Sequence, residues 1–537
     1  MARRWNGWGD DSESHVPGHR TLAFLAERIG PSTPLRNASR AEAVAAVPLS
    51  RLPRGTPFDT DAATRLDHAY GQSTPDWIAL RSGHTMACAD GVACPASHAD
   101  AQAALDAALR LGAAVVPYGG GTSVVGHLSA PAGDRPSVHI SLERLTGLQD
   151  LQTGDLCARF GAGTVGPALE AALAAHGLTL GHFPQSFEYS TAGGWVATRS
   201  SGQQSLRYGR IERLFHGGRL ATPRREFRVG GVPASSAGPD LREAVLGSEG
   251  RLGLLTDVTL RVRPRAAHEA FYAVFFAAWD AGLNAVRELV QGGGSGLSML
   301  RYSGAIETET QLALVQGHDS ALAWLRRYLR WRGVDAGPGG NACLLLAGIT
   351  GSQAEAHAGR SALRDAASRH RGAATGTALG ASWVRHRFRA PYLRNSLWDA
   401  GIGVETAETC VPWSRASSTV AAIENAARSA FVKADERVHA FTHLSHVYAQ
   451  GCSVYSTFVF RLAADPETQL ERWRRLKAAV SDAIVEQGGT ISHQHGVGTD
   501  HVPWLAAEKG ELGTDLLRAM ARELDPQGLM NPGKLLP

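Results

Sequence analysis

Three observations place this 537-residue chain in the α+β class. Strand-like and helix-like segments alternate over residues 90–266, a run of glycines follows the apolar segment 113–116, and strand-then-helix pairs with longer connections recur beyond Pro264. A chain this long exceeds a single core. The expected organisation is an N-terminal extension over residues 1–83, an α/β unit over 84–266, an α+β cap over 267–436 and a C-terminal segment over 437–537.

Each element has a local cause. Residues 97–112 read as a helix, with Ser97 and Asp100 as a capping-box start, Leu105 and Leu109 one turn apart, and Gly112 as the stop. Segments 113–116, 137–142 and 158–161 read as strands. The last leads through Gly166 and Pro167 into a helix with Leu169 and Leu173 on one face, and 258–262 closes the unit. In the cap, 271–276 and 342–348 read as strands and 282–290 and 353–371 as helices. Glycine-rich turns interrupt it at 292–296 and 336–340.

Composition removes several function classes. A net charge of +4 with 19% charged residues forms no basic stripe, so nucleic acid is not an expected partner. The six cysteines are scattered, and the near pair Cys88 and Cys94 has five intervening residues rather than two. Reduced thiols and no metal centre are expected. The N-terminal stretch carries Asp10, Asp11 and Glu13 and has no apolar h-region, so a secretory leader is not expected. The most apolar run, 270–279, is about half the length of a membrane span. These features together predict a cytoplasmic protein without a transmembrane segment.

The most informative motif is Pro117, Tyr118, Gly119, Gly120, Gly121, Thr122 and Ser123. At a strand end, consecutive glycines present bare backbone N–H groups to an anion such as a pyrophosphate. The spacing is not GxGxxG, and no Lys-Ser or Lys-Thr follows as a P-loop requires. Further segments contain Gln185, Ser186, Ser190, Thr191 and Gly194, then Thr198, Arg199, Ser200 and Ser201, then Glu249, Gly250, Gly253, Leu254 and Leu255. In order and approximate spacing these segments resemble the FAD-binding domain of the vanillyl-alcohol oxidase and p-cresol methylhydroxylase superfamily. The resemblance implies that all of these residues line one FAD, in a two-subdomain FAD-binding domain over 84–266, and because no covalent-attachment signature is visible in the sequence the FAD is expected to be noncovalent.

The C-terminal motif Ser492, His493, Gln494, His495, Gly496, Val497 and Gly498 resembles the alkyldihydroxyacetonephosphate synthase family, as does the N-terminal Trp5, Asn6, Gly7, Trp8 and Gly9. Two histidines one residue apart are expected to share a strand face and aim at one site. By the same resemblance Tyr455 is the catalytic tyrosine, helped by His493 and His495, and Arg301 is a further catalytic residue. Arg394, in the segment 391–395, binds the anionic group of the substrate. A guanidinium fork suits phosphate or carboxylate, and a tyrosine needs cationic or hydrogen-bonding neighbours, here His493 and His495, to act as a base near neutral pH.

Departures from that family are also visible. Gln494 replaces its middle histidine and cannot take up a proton at ordinary pH. Ser456 and Thr457 replace aromatic residues after the tyrosine, and Tyr302, Ser303 and Gly304 lack the acidic and amide groups expected after Arg301. The resemblance implies exchange of an acyl for an alkyl group on a dihydroxyacetone phosphate ester through a flavin N5 adduct, the chemistry of ether-lipid synthesis. It leaves open an FAD-linked oxidoreductase acting on a 2-hydroxyacid or related alcohol. Residues 267–436 would form the substrate cap and 437–537 the catalytic segment returning to the flavin. A small anionic, lipid-like substrate, a homodimer and peripheral membrane association are compatible with either reading.

Overall fold

The computed structural model describes residues 3–13, 16–84, 88–314, 319–431 and 436–537. The N-terminal extension contributes α1 (His19–Ile29) and α2 (Thr74–Ser82). The start of α2 is a capping box in which Ser73 accepts from Asp76 N and the Asp76 carboxylate accepts from Ser73 N.

Two lobes follow. The first is a parallel sheet in the order β1-β3-β2, from β1 (Gly91–Ala93), β2 (Ala114–Tyr118) and β3 (Ser137–Ser141). Between β1 and β2 runs α3 (His98–Arg110), whose Ser97 cap accepts from Asp100 N at 3.1 Å. The other half of the expected capping box is replaced, because the Asp100 carboxylate takes the Ala96 N–H instead. Gly112 ends the turn at φ +63°, a left-handed conformation that favours glycine. The second lobe is an antiparallel sheet ordered β4-β5-β8-β6-β7, formed by β4 (Leu148–Gln152), β5 (Cys157–Gly161), β6 (Phe215–Ala221), β7 (Phe227–Gly230) and β8 (Leu254–Arg261). A short helix, α4 (Ala192–Thr198), packs beside it with Thr191 as its cap.

The cap is built on a sheet in the order β12-β9-β11-β10-β14-β15-β13. Its strands are β9 (His268–Phe276), β10 (Leu297–Ser303), β11 (Cys343–Gly351), β12 (Ala373–Ala374), β13 (Ile402–Pro412), β14 (His439–Val447) and β15 (Gly451–Arg461). The last two strands come from the expected C-terminal segment, so one sheet runs across position 436. Strand alternation gives the sheet two faces. Leu300, Tyr302, Leu444, Val454, Phe458 and Phe460 point into a core shared with α6 (Ala416–Ser429) and α7 (Pro466–Glu486). Between β12 and β13 in sequence lies α5 (Ala390–Asp399).

The two ends of the chain tie these parts together. Met530 extends the first lobe as a parallel bridge to Val115, with Val115 N donating to Leu529 O and Asn531 N donating to Val115 O, both at 2.7 Å. At the N-terminus, the Asn395 side chain of α5 accepts from Trp8 N at 3.0 Å and donates to Trp8 O at 2.9 Å. Trp8 is buried against Trp77, Tyr392 and Trp398. All six cysteines are free thiols, as expected. Among the described residues no helix is long and apolar enough to cross a membrane.

Asn395→Ala strands both backbone groups of buried Trp8. The variant is expected to lose about 1–3 kcal/mol, read as a lower urea midpoint, with faster proteolysis within residues 3–13. An unchanged midpoint would show that Asn395 does not hold the N-terminal segment around Trp8.

Candidate functional site

A single cavity of about 580 Å³ runs from the glycine loop, across the junction of the lobes, to the free face of the cap sheet. Every residue expected to bind FAD lines it except Arg199 and Leu254. Arg199 sits at φ +56° as the C-cap of α4 and turns outward to an ion pair with Glu243 at 2.7 Å. Leu254 falls on the opposite face of β8 from Leu255 and packs in the core with Ala221 and Met530. Strand parity is the reason for that correction.

The geometry fits a dinucleotide cofactor. A Cβ at Gly120 would collide with the Tyr189 carbonyl, and one at Gly119 would lie 2.8 Å from Thr191 Oγ1, so only glycine lets the chain follow this path. Among the buried polar atoms on lining residues that have no hydrogen-bond partner in the protein are Ser201 Oγ, Gln203 Oε1, Gln494 Oε1 and Asn531 Oδ1. Such atoms are costly unless a ligand pairs them. The cradle therefore offers backbone N–H groups for a diphosphate and neutral donors and acceptors for a heterocyclic ring.

Two buried carboxylates hold the C-terminal motif against this cavity. Glu408 on β13 accepts from the backbone N–H groups of His493, Gln494 and His495 at 2.8–3.0 Å and from Ser492 Oγ at 2.9 Å. Glu249, at φ +52°, accepts from Val497 N at 2.6 Å and Gly498 N at 2.9 Å. Glu249 Oε2 also lies 2.9 Å from His127 Nε2, whose Nδ1 is 2.7 Å from Ser123 Oγ in the glycine loop.

The expected strand at His493 and His495 is consequently a loop, and the two rings diverge. His495 lines the cavity and meets the Tyr455 ring edge-on, with centroids 5.7 Å apart. His493 does not line it. Its Nε2 is 2.6 Å from the Tyr448 hydroxyl and its ring lies 5.0 Å from that of His446. Burial pushes both histidines below the usual imidazole range, so neither supplies a cation to Tyr455.

Tyr455 faces the cavity from β15, one strand in from the β13 edge of the sheet. Strand register sets Glu408, Tyr455 and His443 in one row across β13, β15 and β14. The Tyr455 ring stacks on His443 at 5.0 Å, and burial pushes its hydroxyl up to about 12. At neutral pH Tyr455 therefore holds its proton. The cationic neighbours are arginines: Arg301 favours the phenolate, and Arg394 in turn feels the Tyr455 charge.

Arg301 lies on β10 and donates to Glu307 Oε1 at 2.6 Å, and His443 Nδ1 is 3.0 Å from Glu307 Oε2. Burial alone would raise the Glu307 carboxyl, but His443 and Arg301 outweigh it and hold it down to about 2. Burial, followed by the Arg301 charge, keeps His443 below the usual range, so the ionised pair is Glu307 with Arg301. Glu307 and His443 are the site residues that sequence reasoning missed. The acid expected directly after Arg301 comes six residues later from a helix, where motif spacing could not show it.

Arg394 projects from α5 into the same space. Its Nη1 donates to Gln72 O at 2.5 Å, its Nη2 to Thr74 Oγ1 at 3.0 Å, and its guanidinium lies 4.2 Å from the Trp77 ring centroid. Its Nε is a buried donor without a partner, as is that of Arg301. Ser456 faces away from the cavity and bonds Thr442 at 2.8 Å, so of the two altered residues after the tyrosine only Thr457 shapes the wall. Beyond the arginines the cavity becomes apolar, walled by Leu25, Leu314, Leu397, Val404, Phe441 and Val459.

Comparison with known proteins agrees with this geometry. The family model "FAD binding domain" matches residues 89–228, and "FAD linked oxidases, C-terminal domain" matches residues 265–535. A protein named alkyldihydroxyacetonephosphate synthase from Caenorhabditis elegans is 30% identical over 494 residues, covering 89% of this chain and 81% of its own. A solved alkyldihydroxyacetonephosphate synthase superposes with a TM-score of 0.81 at 25% identity and 99% coverage of both chains. A p-cresol methylhydroxylase structure, covering 97% of each chain at a TM-score of 0.63 and 13% identity, shares the fold. The chain belongs to the alkyldihydroxyacetonephosphate synthase family of FAD-linked enzymes.

Proposed function

We propose that this FAD-dependent enzyme exchanges the acyl group of an acylated dihydroxyacetone phosphate for an alkyl group. The observation that carries this reading is the continuity of one cavity from the glycine cradle, past Tyr455, Arg301 and Arg394, to an apolar end. An anionic headgroup and a hydrocarbon chain need those two environments side by side.

FAD would be held by the glycine loop and the neutral groups of both lobes, and when bound it supplies an isoalloxazine ring that accepts electron density from the substrate carbon. The protein's own contributions are separate. Arg394, with its free Nε, binds the phosphate or the departing carboxylate. Tyr455 gives its Oη proton to the departing carboxylate and regains one from the incoming alcohol, and Arg301 with Arg394 stabilises the phenolate in between. Glu307 and His443 fix the Arg301 guanidinium. Leu25, Phe441 and Val459 shield the chain from water.

The exchange is tested by anaerobic incubation with an acyl dihydroxyacetone phosphate and a fatty alcohol. Free fatty acid and ether product should appear in equal amounts with no lasting loss of flavin absorbance. Bleaching of the flavin by a 2-hydroxyacid, with no ether product, would favour an oxidoreductase instead.

Two substitutions assign the roles. Tyr455→Phe keeps the ring packed on His443 and removes only the hydroxyl, so FAD content should hold while turnover falls on the order of a hundredfold or more. Turnover within a few-fold of wild type would remove Tyr455 from the chemistry. Arg394→Lys keeps the charge and loses the fork, and should weaken binding of a phosphate-bearing analogue by roughly 1–3 kcal/mol. Unaltered affinity would return Arg394 to a purely structural role between Gln72 and Thr74.

A further inference from the structure

Away from the cavity, three chemically distinct side chains converge where the N-terminal extension meets the first lobe. His68 follows the short helix Ala62–Asp67, Cys94 follows β1, and Glu143 follows β3. Cys94 Sγ is 3.4 Å and His68 Nε2 3.9 Å from the same Glu143 oxygen, and the three ligand atoms all lie within 4.8 Å of one another. Around a tetrahedral zinc ion with bonds of about 2.0–2.3 Å, ligand atoms stand roughly 3.3–3.8 Å apart. The cluster is thus within a small side-chain adjustment of a coordination shell.

We propose that His68, Cys94 and Glu143 bind one thiophilic divalent cation, Zn²⁺ being the best match to a mixed nitrogen, sulfur and oxygen donor set. The imidazole is already oriented for it. His68 Nδ1 is 2.9 Å from the Thr64 carbonyl and donates to it, the usual outer hydrogen bond of a metal-bound histidine, and this points Nε2 at the cluster, where its proton faces Glu143 until an ion takes that place. The His68 side chain is 12% exposed and that of Glu143 54% exposed, so an ion and a fourth, solvent ligand have access. Binding replaces two protons, that of the Cys94 thiol and that on His68 Nε2 facing Glu143, both of which leave to solvent, and no electron is transferred.

The position gives the site a consequence. The His68 ring packs edge-on against Tyr118 at 5.0 Å, and Tyr118 forms part of the cavity wall beside the glycine loop. A bound ion would join residue 68 of the extension to the ends of β1 and β3, the latter paired with β2, the strand that leads into this loop. Cysteine spacing hides the site, because its members are far apart in sequence and only one is a cysteine.

The test uses tag-free, FAD-loaded protein, stripped with a chelator and titrated with Co²⁺. One equivalent should bind with tetrahedral, thiolate-ligated bands to the red of the flavin absorbance, and Zn²⁺ should displace it. Cys94→Ser and His68→Gln should each weaken binding by at least the 10–100-fold that loss of a mere outer-shell partner costs, with FAD content unchanged. Should Cys94→Ser lose its FAD, His68→Gln and Glu143→Gln carry the test. Absence of stoichiometric binding, or a Co²⁺ spectrum that these substitutions leave intact, would overturn the proposal and leave an ordinary histidine–glutamate ion pair.

Discussion

The site depends on two buried carboxylates that bind backbone rather than substrate. Glu408, from the cap sheet, gathers three consecutive N–H groups and a serine hydroxyl, and Glu249, from the second lobe, gathers the next two free N–H groups. A loop with this many buried donors could not stay folded against the cavity without acceptors. Because the acceptors come from different parts of the fold, the loop also fixes how the cap sheet and the lobes meet. Gln494 and His495 face the cavity as a result, whereas His493 is turned to Tyr448.

The remaining chemistry follows from strand parity. Arg301, His443, Tyr455 and Thr457 lie on the free face of the cap sheet, while Tyr302, Leu444, Val454 and Phe458 lie on its packed face. Low dielectric keeps the proton on Tyr455 and leaves His495 and His443 neutral, whereas Glu307 is charged because its contacts with His443 and Arg301 outweigh burial. The positive charge that the sequence suggests for histidines is carried by arginines, which do not lose it on burial.

Much of this was legible in the sequence because local rules governed it. The glycine loop, the Ser97 cap, the Gly112 stop and the strand before Pro117 each follow from neighbouring residues, and the structure has them. The grouping of Tyr455, Arg301 and Arg394 was legible through resemblance alone, since two strands and a helix far apart in the chain bring them together. What could not be read is long-range hydrogen bonding. The Glu408 contacts span 84 to 87 positions, convert an expected strand at His493 into a loop, and separate two histidines that alternation would aim together. Glu307 was hidden likewise, because it stands in the first turn of the helix that follows the Arg301 strand.

The central claim, that the Glu408 carboxylate holds the histidine loop against the cavity, is tested most directly by amide hydrogen exchange across residues 488–498 in wild type and Glu408→Gln. The substitution keeps the side-chain volume but turns half of an acceptor into a donor. Exchange at His493, Gln494 and His495 should accelerate about tenfold or more while amides of the glycine loop remain protected. Equal exchange in both proteins would contradict the account and show that packing alone positions the loop.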